Sequence, residues 1–184
     1  MRRVILSAVV VGAITVLSGC SVTGAAMQGV RIGGNLAKTD SHIRVTLDGQ
    51  AAKQNAMKKA MSGYSAWKIS APVSTTPTLK FDLVDPERFG RITMVAASLY
   101  QQYEADYSHQ AEFTVVSRDI NNPQAQMKPG TPYNLGSPGG DFNVLNLTSQ
   151  SVGGIELKPG MKYKLTLTVK ADKSETAIVE FVTK

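Results

Sequence analysis

The sequence predicts a mainly β fold, an antiparallel β-sandwich carrying one short amphipathic helix. Three observations lead there. Residues 162–170, KYKLTLTVK, place Tyr163, Leu165, Leu167 and Val169 on one side and Lys162, Lys164, Thr166, Thr168 and Lys170 on the other. That is the period of two of a strand with one face in a core. A second strand-like run follows across a polar turn at Ala171 to Ser174, so the last third of the chain reads as a hairpin. From residue 72 onward, strand-like runs alternate with segments rich in Pro, Gly, Asn and Asp, which punctuate β architectures.

The amino terminus has a different character. Met1-Arg2-Arg3 is a short basic segment, and Val4 to Leu17 is nearly all aliphatic or small. About 14 residues make roughly 21 Å of helix, whereas a permanent span needs about 20 residues. The run has the length of a secretory signal. Small residues Ser18 and Gly19 then precede Cys20, the only cysteine of the chain, so no internal disulfide can form. Leu17-Ser18-Gly19-Cys20 resembles the lipobox of bacterial lipoproteins. The resemblance implies cleavage between Gly19 and Cys20, a diacylglycerol thioether on Cys20, and acylation of the new amino terminus. Two or three acyl chains anchor stably where a single one binds only marginally. Ser21 stands where an aspartate favours inner-membrane retention in similar Gram-negative lipoproteins, which implies an outer-membrane location, on the periplasmic face or the cell surface.

The expected organisation is therefore a signal peptide over residues 1–19, a lipidated cysteine and flexible tether over 20–40, and one sandwich domain over 41–184. The tether reads SVTGAAMQGVRIGGNLAKTD from Ser21 to Asp40; a flexible coil of that length reaches about 25 Å root-mean-square. Val30 and Ile32 alternate within it and are compatible with a docked irregular strand. Cleavage removes Arg2 and Arg3 and no acidic residue, so the net charge of +6 falls by two. A moderately basic balance with scattered lysines suits a solvated surface and gives no case for nucleic-acid binding.

Along the domain, His42 to Gly49 reads as a half-buried strand, with Ile43, Val45 and Leu47 inward and a turn at Asp48-Gly49. Residues 50–62 space Ala52, Ala56 and Ala60 beside Met57 and Met61, the pattern of the short amphipathic helix, closed by Gly63. Leu79, Phe81 and Leu83 mark the next strand. Ile92 to Tyr100 reads as a strand, although Ala96 to Tyr107 equally fits a helical turn or a polar loop. Phe113 and Val115 share one face of a further strand. Residues 121–141 hold four prolines and four glycines and read as a long irregular surface loop.

One more segment points to a fold family. Leu157-Lys158-Pro159-Gly160-Met161-Lys162-Tyr163 resembles the L-x-P-G-x-x-Y entry to the F strand of fibronectin type III and related immunoglobulin-like sandwiches. The resemblance covers residues 155–183. It implies a structural corner at Leu157, Pro159, Gly160 and Tyr163, in which the tyrosine hydroxyl bonds to backbone upstream while its ring fills the core. Trp67 lies too far upstream to be the tryptophan of that framework.

No catalytic constellation emerges. His42 and His109 stand in no zinc-ligand spacing and Cys20 is committed to lipid, so neither a metal nor another cofactor is expected. There is no nucleophile elbow. Asp82 with Asp85, and Glu104 with Asp106, read as exposed charges rather than acid–base pairs. Asp119, Asn121 and Asn122 read as capping and turning residues rather than a calcium loop. The glycines of Asn134 to Phe142 follow no strand-to-helix transition, so no phosphate loop is expected. The sequon at Asn146-Leu147-Thr148 carries little weight in a bacterial lipoprotein.

Tyr100, Tyr103 and Tyr107, with Tyr133 and Phe142, are the candidate interaction surface, although aromatic residues serve equally as plugs at strand ends. The expected function is a non-enzymatic, membrane-anchored docking component of an envelope assembly such as a secretion system, pilus or surface complex, with envelope proteins as partners. The alternative is a binding module or adhesin for glycan, peptidoglycan or another cell surface. If Cys20 carries the lipid, Cys20→Ser moves the protein from the membrane pellet to the soluble exported fraction. Unchanged pelleting with an unmodified amino terminus would refute the anchor.

Overall fold

The computed structural model describes residues 41–54, 67–104 and 106–184. The signal segment, Cys20 with its neighbours Gly19 and Ser21, the tether, and residues 55–66 lie outside the described residues.

Among the described residues thirteen strands form two sheets. β1 (Ile43–Leu47) turns through Asp48 and Gly49 into β2 (Gln50–Ala51), and both turn residues have positive φ, 48° and 75°. A two-residue hairpin loop of this hand requires positive φ at both positions, which Asp-Gly tolerates. β1 pairs antiparallel with β5 (Thr78–Leu83), from Ile43 opposite Leu83 to Leu47 opposite Leu79. β9 (Tyr133–Asn134) completes this smaller sheet, in the order β2-β1-β5-β9.

The larger sheet runs β11-β10-β8-β6-β12-β13-β4-β3, with β7 (Asp106–Tyr107) paired to the end of β6. Its strands are β3 (Lys53–Gln54), β4 (Trp67–Lys68), β6 (Met94–Tyr103), β8 (Phe113–Ser117), β10 (Phe142–Asn146), β11 (Ser151–Val152), β12 (Lys162–Lys170) and β13 (Glu175–Val182). β12 returns to lie beside β6 after β8 and β10 have been laid down, which is the Greek-key order. β4 runs parallel to β13, and Val73 continues that edge with a parallel bridge to Thr183.

The core is the sum of the inward rows. Ile43, Val45, Leu47, Leu79 and Phe81 face Val95, Ala97, Leu99, Tyr163, Leu165, Leu167, Val169, Val179 and Phe181, all buried. The expected sandwich class, the inward row of 162–170 and the turn at 171–174 therefore hold.

Four particulars differ from expectation. Gln50–Ala51 and Lys53–Gln54 are strands, so no helix begins at residue 50; the rest of that expected helix falls outside the described residues. A single helical turn instead occupies α1 (Pro86–Phe89), started by a proline and burying Phe89. β6 runs on to Tyr103, which resolves the ambiguity of Ala96–Tyr107 in favour of a strand. Lastly, residues 121–141 run mostly over the surface, as expected, but they also act as a strap pinned to the core. It carries a 3₁₀ turn (Pro123–Ala125) and β9, and it buries Gln126, Met127 and Leu135. Gln126 Oε1 accepts the Val95 N–H at 3.1 Å and Gly130 N–H donates to Phe81 O at 2.7 Å, so the strap fastens one sheet to the other.

Tyr163 forms the expected corner. It is fully buried, stacks on Phe181 with ring centroids 5.9 Å apart, and its hydroxyl accepts the Lys158 N–H at 3.1 Å. The strap repeats the device. Met127-Lys128-Pro129-Gly130-Thr131-Pro132-Tyr133 matches Leu157-Lys158-Pro159-Gly160-Met161-Lys162-Tyr163 in its lysine, proline, glycine and tyrosine. Tyr133 hydroxyl accepts the Lys128 N–H at 2.7 Å, both glycines have positive φ (79° and 69°), and both leading residues, Met127 and Leu157, are buried. A further close crossing holds the two connections together: Ile155 N–H donates to Leu135 O at 2.9 Å, and a Cβ on Gly154 would strike the backbone of Gly136. Only glycine fits there.

Removing the buried hydroxyl of Tyr163 leaves the Lys158 N–H without its acceptor. Tyr163→Phe is expected to cost on the order of 1 kcal/mol, read as a lowered denaturation midpoint. Tyr133→Phe costs less, because its ring is only half-buried. Deleting residues 123–139 destabilises the domain outright, since it strips Gln126, Met127 and Leu135 from the core.

Candidate functional site

The strand registers define two poles. At one stands His42, where the chain enters the sandwich, beside the start of β13, the end of β12 and the start of β6. At the other stand the end of β6, the start of β8, the β10–β11 turn and the Tyr163 corner. From Val95 to Gln101 along β6 is roughly 20 Å at 3.3 Å per residue.

The entry pole is held by charge. Glu175 accepts the backbone N–H of His42 at 2.9 Å and lies 3.1 Å from its Nδ1, while Arg88 Nε donates to the same carboxylate at 2.8 Å. Burial of Glu175 favours its neutral form. The His42 N–H, the Arg88 hydrogen bond and the electrostatic influence of the His42 and Arg88 side chains together outweigh burial and hold its pKa below the ordinary 4.5. At the far pole Asp48 behaves alike. Burial again opposes ionisation, but N–H donors from Thr78 at 2.8 Å and Ser74 at 2.6 Å, with the charge of Lys184, draw it below 3.8.

The far pole holds an open cleft of about 480 Å³, within the roughly 300–1,000 Å³ of small-molecule sites. Its apolar wall is Tyr103, Phe113, Leu147 and Val152, and its polar side chains include Gln101, Ser108, Gln110, Glu112, Thr148 and Lys158. Tyr103 and Leu147 are 54% and 50% exposed, two of the three large hydrophobic residues most open to solvent among the described residues. Gln101 is 2% exposed, and its Oε1 accepts from the Tyr103 hydroxyl and from Lys158 Nζ, each at 3.3 Å. Lys158 is thus held twice, through its backbone by Tyr163 and through its side chain by Gln101. Glu112 Oε2 is shielded from solvent and meets no donor among the described residues. The Asn146 side chain shapes the neighbouring turn by accepting from Thr148 N, Thr148 Oγ1 and Gln150 N, and it joins the cleft wall.

The five aromatic residues singled out in the sequence do not form one surface. Tyr103 lines the cleft. Tyr100 and Tyr107 lie on the outward face of the larger sheet, with the Lys164 ammonium 4.8 Å and 4.9 Å from their ring centres. Tyr133 and Phe142 meet edge to face with centroids 5.3 Å apart and pack against the core, Phe142 pairing with Ser117 near the entry pole. The corner residues Leu157, Pro159, Gly160 and Tyr163 come together as expected, and they adjoin the cleft through Lys158. Trp67 sits on β4, between β13 and the terminal strand β3, half-buried, with the Arg44 guanidinium 4.6 Å above its ring.

The remaining candidates are scattered. His109 is exposed, Asp82 pairs with Lys80 at 3.5 Å, and Asn122 accepts from Gln124 N to cap the 3₁₀ turn. Among the described residues no three of His, Cys, Asp and Glu gather as a metal site, and no helix there is long and apolar enough to cross a membrane. Gln101, Glu112 and Val152 went unnoticed in the sequence, and Leu147 was read only as part of a sequon. They come from four separate segments, and no local pattern joins them.

The architecture is that of the immunoglobulin-like class of β-sandwiches. Beyond that class no family can be assigned, because no protein-family model and no curated protein matches the chain.

The depressed carboxylates set the acid behaviour of the fold. An unfolded glutamate takes up its proton around 4.5 and an unfolded aspartate around 3.8, before Glu175 and Asp48 do so in the folded protein. Their stabilisation is complete above those values and is lost as pH falls through the lower folded values. Chemical denaturation between pH 7 and pH 3 is expected to show stability declining on the acid side, and Glu175→Gln to flatten part of that decline. An unchanged acid limb in the variant would remove Glu175 from the account.

Proposed function

We propose that the chain is a lipid-anchored, non-catalytic envelope protein that docks onto another envelope component at the pole opposite its tether. The observation that carries the reading is the placement of Tyr103 and Leu147, large apolar side chains left half-exposed beside one cleft. Isolated apolar residues on a surface need no explanation, but two flanking a concave site with half-buried Phe113 and Val152 make a patch of the kind found at contacts. The polarity of the domain supports the same reading. Its entry residue His42 is pinned by Glu175 at the pole nearer the tether, and the cleft lies some two-thirds of β6 away, turned from the point of attachment. The lipobox resemblance supplies the membrane side, with sorting to the outer membrane following from Ser21.

The test uses the full chain in its native membrane. After mild crosslinking and solubilisation, the parent protein is expected to retain a partner at fixed stoichiometry. Tyr103→Ala combined with Leu147→Ser is expected to abolish that retention while membrane pelleting and the melting curve stay as in the parent. Equal retention by the double variant would rule the cleft out as the docking surface.

A further inference from the structure

The chemistry of the cleft narrows what it holds. Resting on the docking reading above, we propose that the cleft binds a neutral glycan segment, one sugar ring lying against Tyr103 with its hydroxyls on Gln101 and Glu112.

Gln101 is the main argument. A glutamine 98% removed from solvent normally spends both ends of its amide on protein partners. Here Oε1 takes two donors, the Tyr103 hydroxyl and Lys158 Nζ, whereas Nε2 has no acceptor among the described residues. Lys158 Nζ can only give a hydrogen bond, so its contact fixes which end of the amide is oxygen. A rigidly oriented N–H pair therefore faces the cleft without a partner. Beside it, Glu112 has a shielded carboxylate oxygen with no donor. Leaving a carboxylate oxygen unpaired away from water is unfavourable, and the last torsion of a glutamate is broad. A small rotation offers that oxygen to an incoming hydroxyl. An open amide donor and an unpaired carboxylate acceptor lining one cleft suit the hydroxyls of a polyol, each of which gives and takes a hydrogen bond.

The apolar side of the cleft fits the same ligand. Tyr103 is 54% exposed and tethered only through its hydroxyl, so its ring is presented as a flat platform, continued by Phe113, Leu147 and Val152. Sugar rings carry C–H groups on one face that pack on such a platform. Charge sets the sign: one carboxylate, Glu112, and one ammonium, Lys158, line the cleft. A ligand with net charge of either sign meets one like charge, whereas a neutral polyol meets none.

Most backbone donors near the cleft are spoken for. Recognition of a peptide strand relies on open ladder groups, and four of the neighbouring N–H groups are engaged: Ser108 N–H donates to Gln101 O at 2.9 Å, Glu112 N–H to Leu99 O at 2.7 Å, Asn146 N–H to Gln150 O at 2.9 Å, and Lys158 N–H to the Tyr163 hydroxyl. The edge strand β11, which brings Val152 to the cleft, keeps one side of its ladder unpaired but is only two residues long. The larger open surface is side-chain amide, hydroxyl, carboxylate and aromatic ring.

The test titrates intact protein, solubilised in a detergent without a sugar headgroup, with neutral tetrasaccharides of hexose and of N-acetylhexosamine. Saturable binding of at least one tetrasaccharide is expected, followed by calorimetry or ligand-observed NMR. Tyr103→Ala is expected to weaken it about tenfold or more, Tyr103→Phe much less because the ring persists, and Glu112→Gln measurably because a strong acceptor is lost. The melting curve guards each variant against misfolding. Three results overturn the proposal: no saturable binding of either sugar at millimolar concentration, affinity unchanged in Tyr103→Ala, or tighter binding of an extended peptide or a polyanionic glycan. Membrane pelleting is scored on the same preparations before solubilisation. A failed titration with intact pelleting removes the glycan alone, and intact titration with lost pelleting removes the anchor alone.

Discussion

The structure turns on the hydrogen bond from Lys158 N–H to the Tyr163 hydroxyl. A tyrosine whose ring is wholly inside a core must still satisfy its polar tip, and here it does so with the backbone of the segment that enters its own strand. That bond fixes the crossing of residues 157–163 over the end of the sandwich. Leu157 is pressed inward, Gly160 takes the left-handed turn, and β12 starts in register with both β6 and β13. From there the inward row of β12 is determined, because a slip by one residue would send Tyr163, Leu165, Leu167 and Val169 to the opposite face. The same bond sets the functional end of the molecule. With its backbone held, Lys158 extends its side chain to Gln101, and Gln101 in turn receives Tyr103. A structural corner and the orientation of the cleft floor are one chain of contacts.

The second corner solves a different problem. The route from β8 to β10 must leave the larger sheet, add β9 to the smaller one, and come back, all without an opening in the core. Gln126 begins the crossing by accepting from Val95, Met127 plugs the gap, and Gly130 reaches Phe81. Tyr133 then folds back on Lys128 and shuts the turn. Where the first corner is sealed, this one is half-open, since Tyr133 also meets Phe142 at the domain's flank. The repeated Lys-Pro-Gly-x-x-Tyr is read here as one local device used twice, since a proline, a glycine free to take positive φ and a tyrosine five residues after the lysine are what the turn needs.

How far the sequence exposed this fold depends on where burial was one-sided. β1, β5, β12 and β13 bury one face more deeply than the other, so their period of two was plain, and with it the sandwich class and the corner. β6 was obscured because Met94 to Leu99 are all buried, inward and outward residues alike, and a strand covered on both faces loses its alternation. Lys53 and Gln54 look helical in a run of alanines and methionines, yet pairing with Trp67 and Lys68 overrides that local preference. The strap misled through composition. Four prolines and four glycines signal an exposed loop, which most of the segment is, and only two apolar side chains, Met127 and Leu135, betray that it is also pinned to the core. Of the cleft, Tyr103 alone was singled out in advance as an interaction residue; the partners of Gln101 lie at positions 103 and 158, and Glu112 sits just before a strand.

The two poles divide the work of the domain between different forces. At the entry pole the chain is secured by charged groups, Glu175 gathering His42 and Arg88, so attachment is a matter of hydrogen-bonded ions at the surface. At the far pole the walls are ring, amide and hydroxyl, built on strands whose backbone groups are already paired. Side chains positioned on such strands keep their geometry without a ligand, which lowers the ordering that binding must impose. His42 leads directly into β1, which pairs with β2 and β5 in the smaller sheet, and the Glu175 carboxylate ties it sideways to the start of β13 in the larger one. Both sheets therefore meet at the entry pole. In the proposed role of a membrane-anchored docking module, that cross-link joins the point of attachment to the sheet whose far end carries the cleft, so the contact geometry is held by paired strands between the two poles.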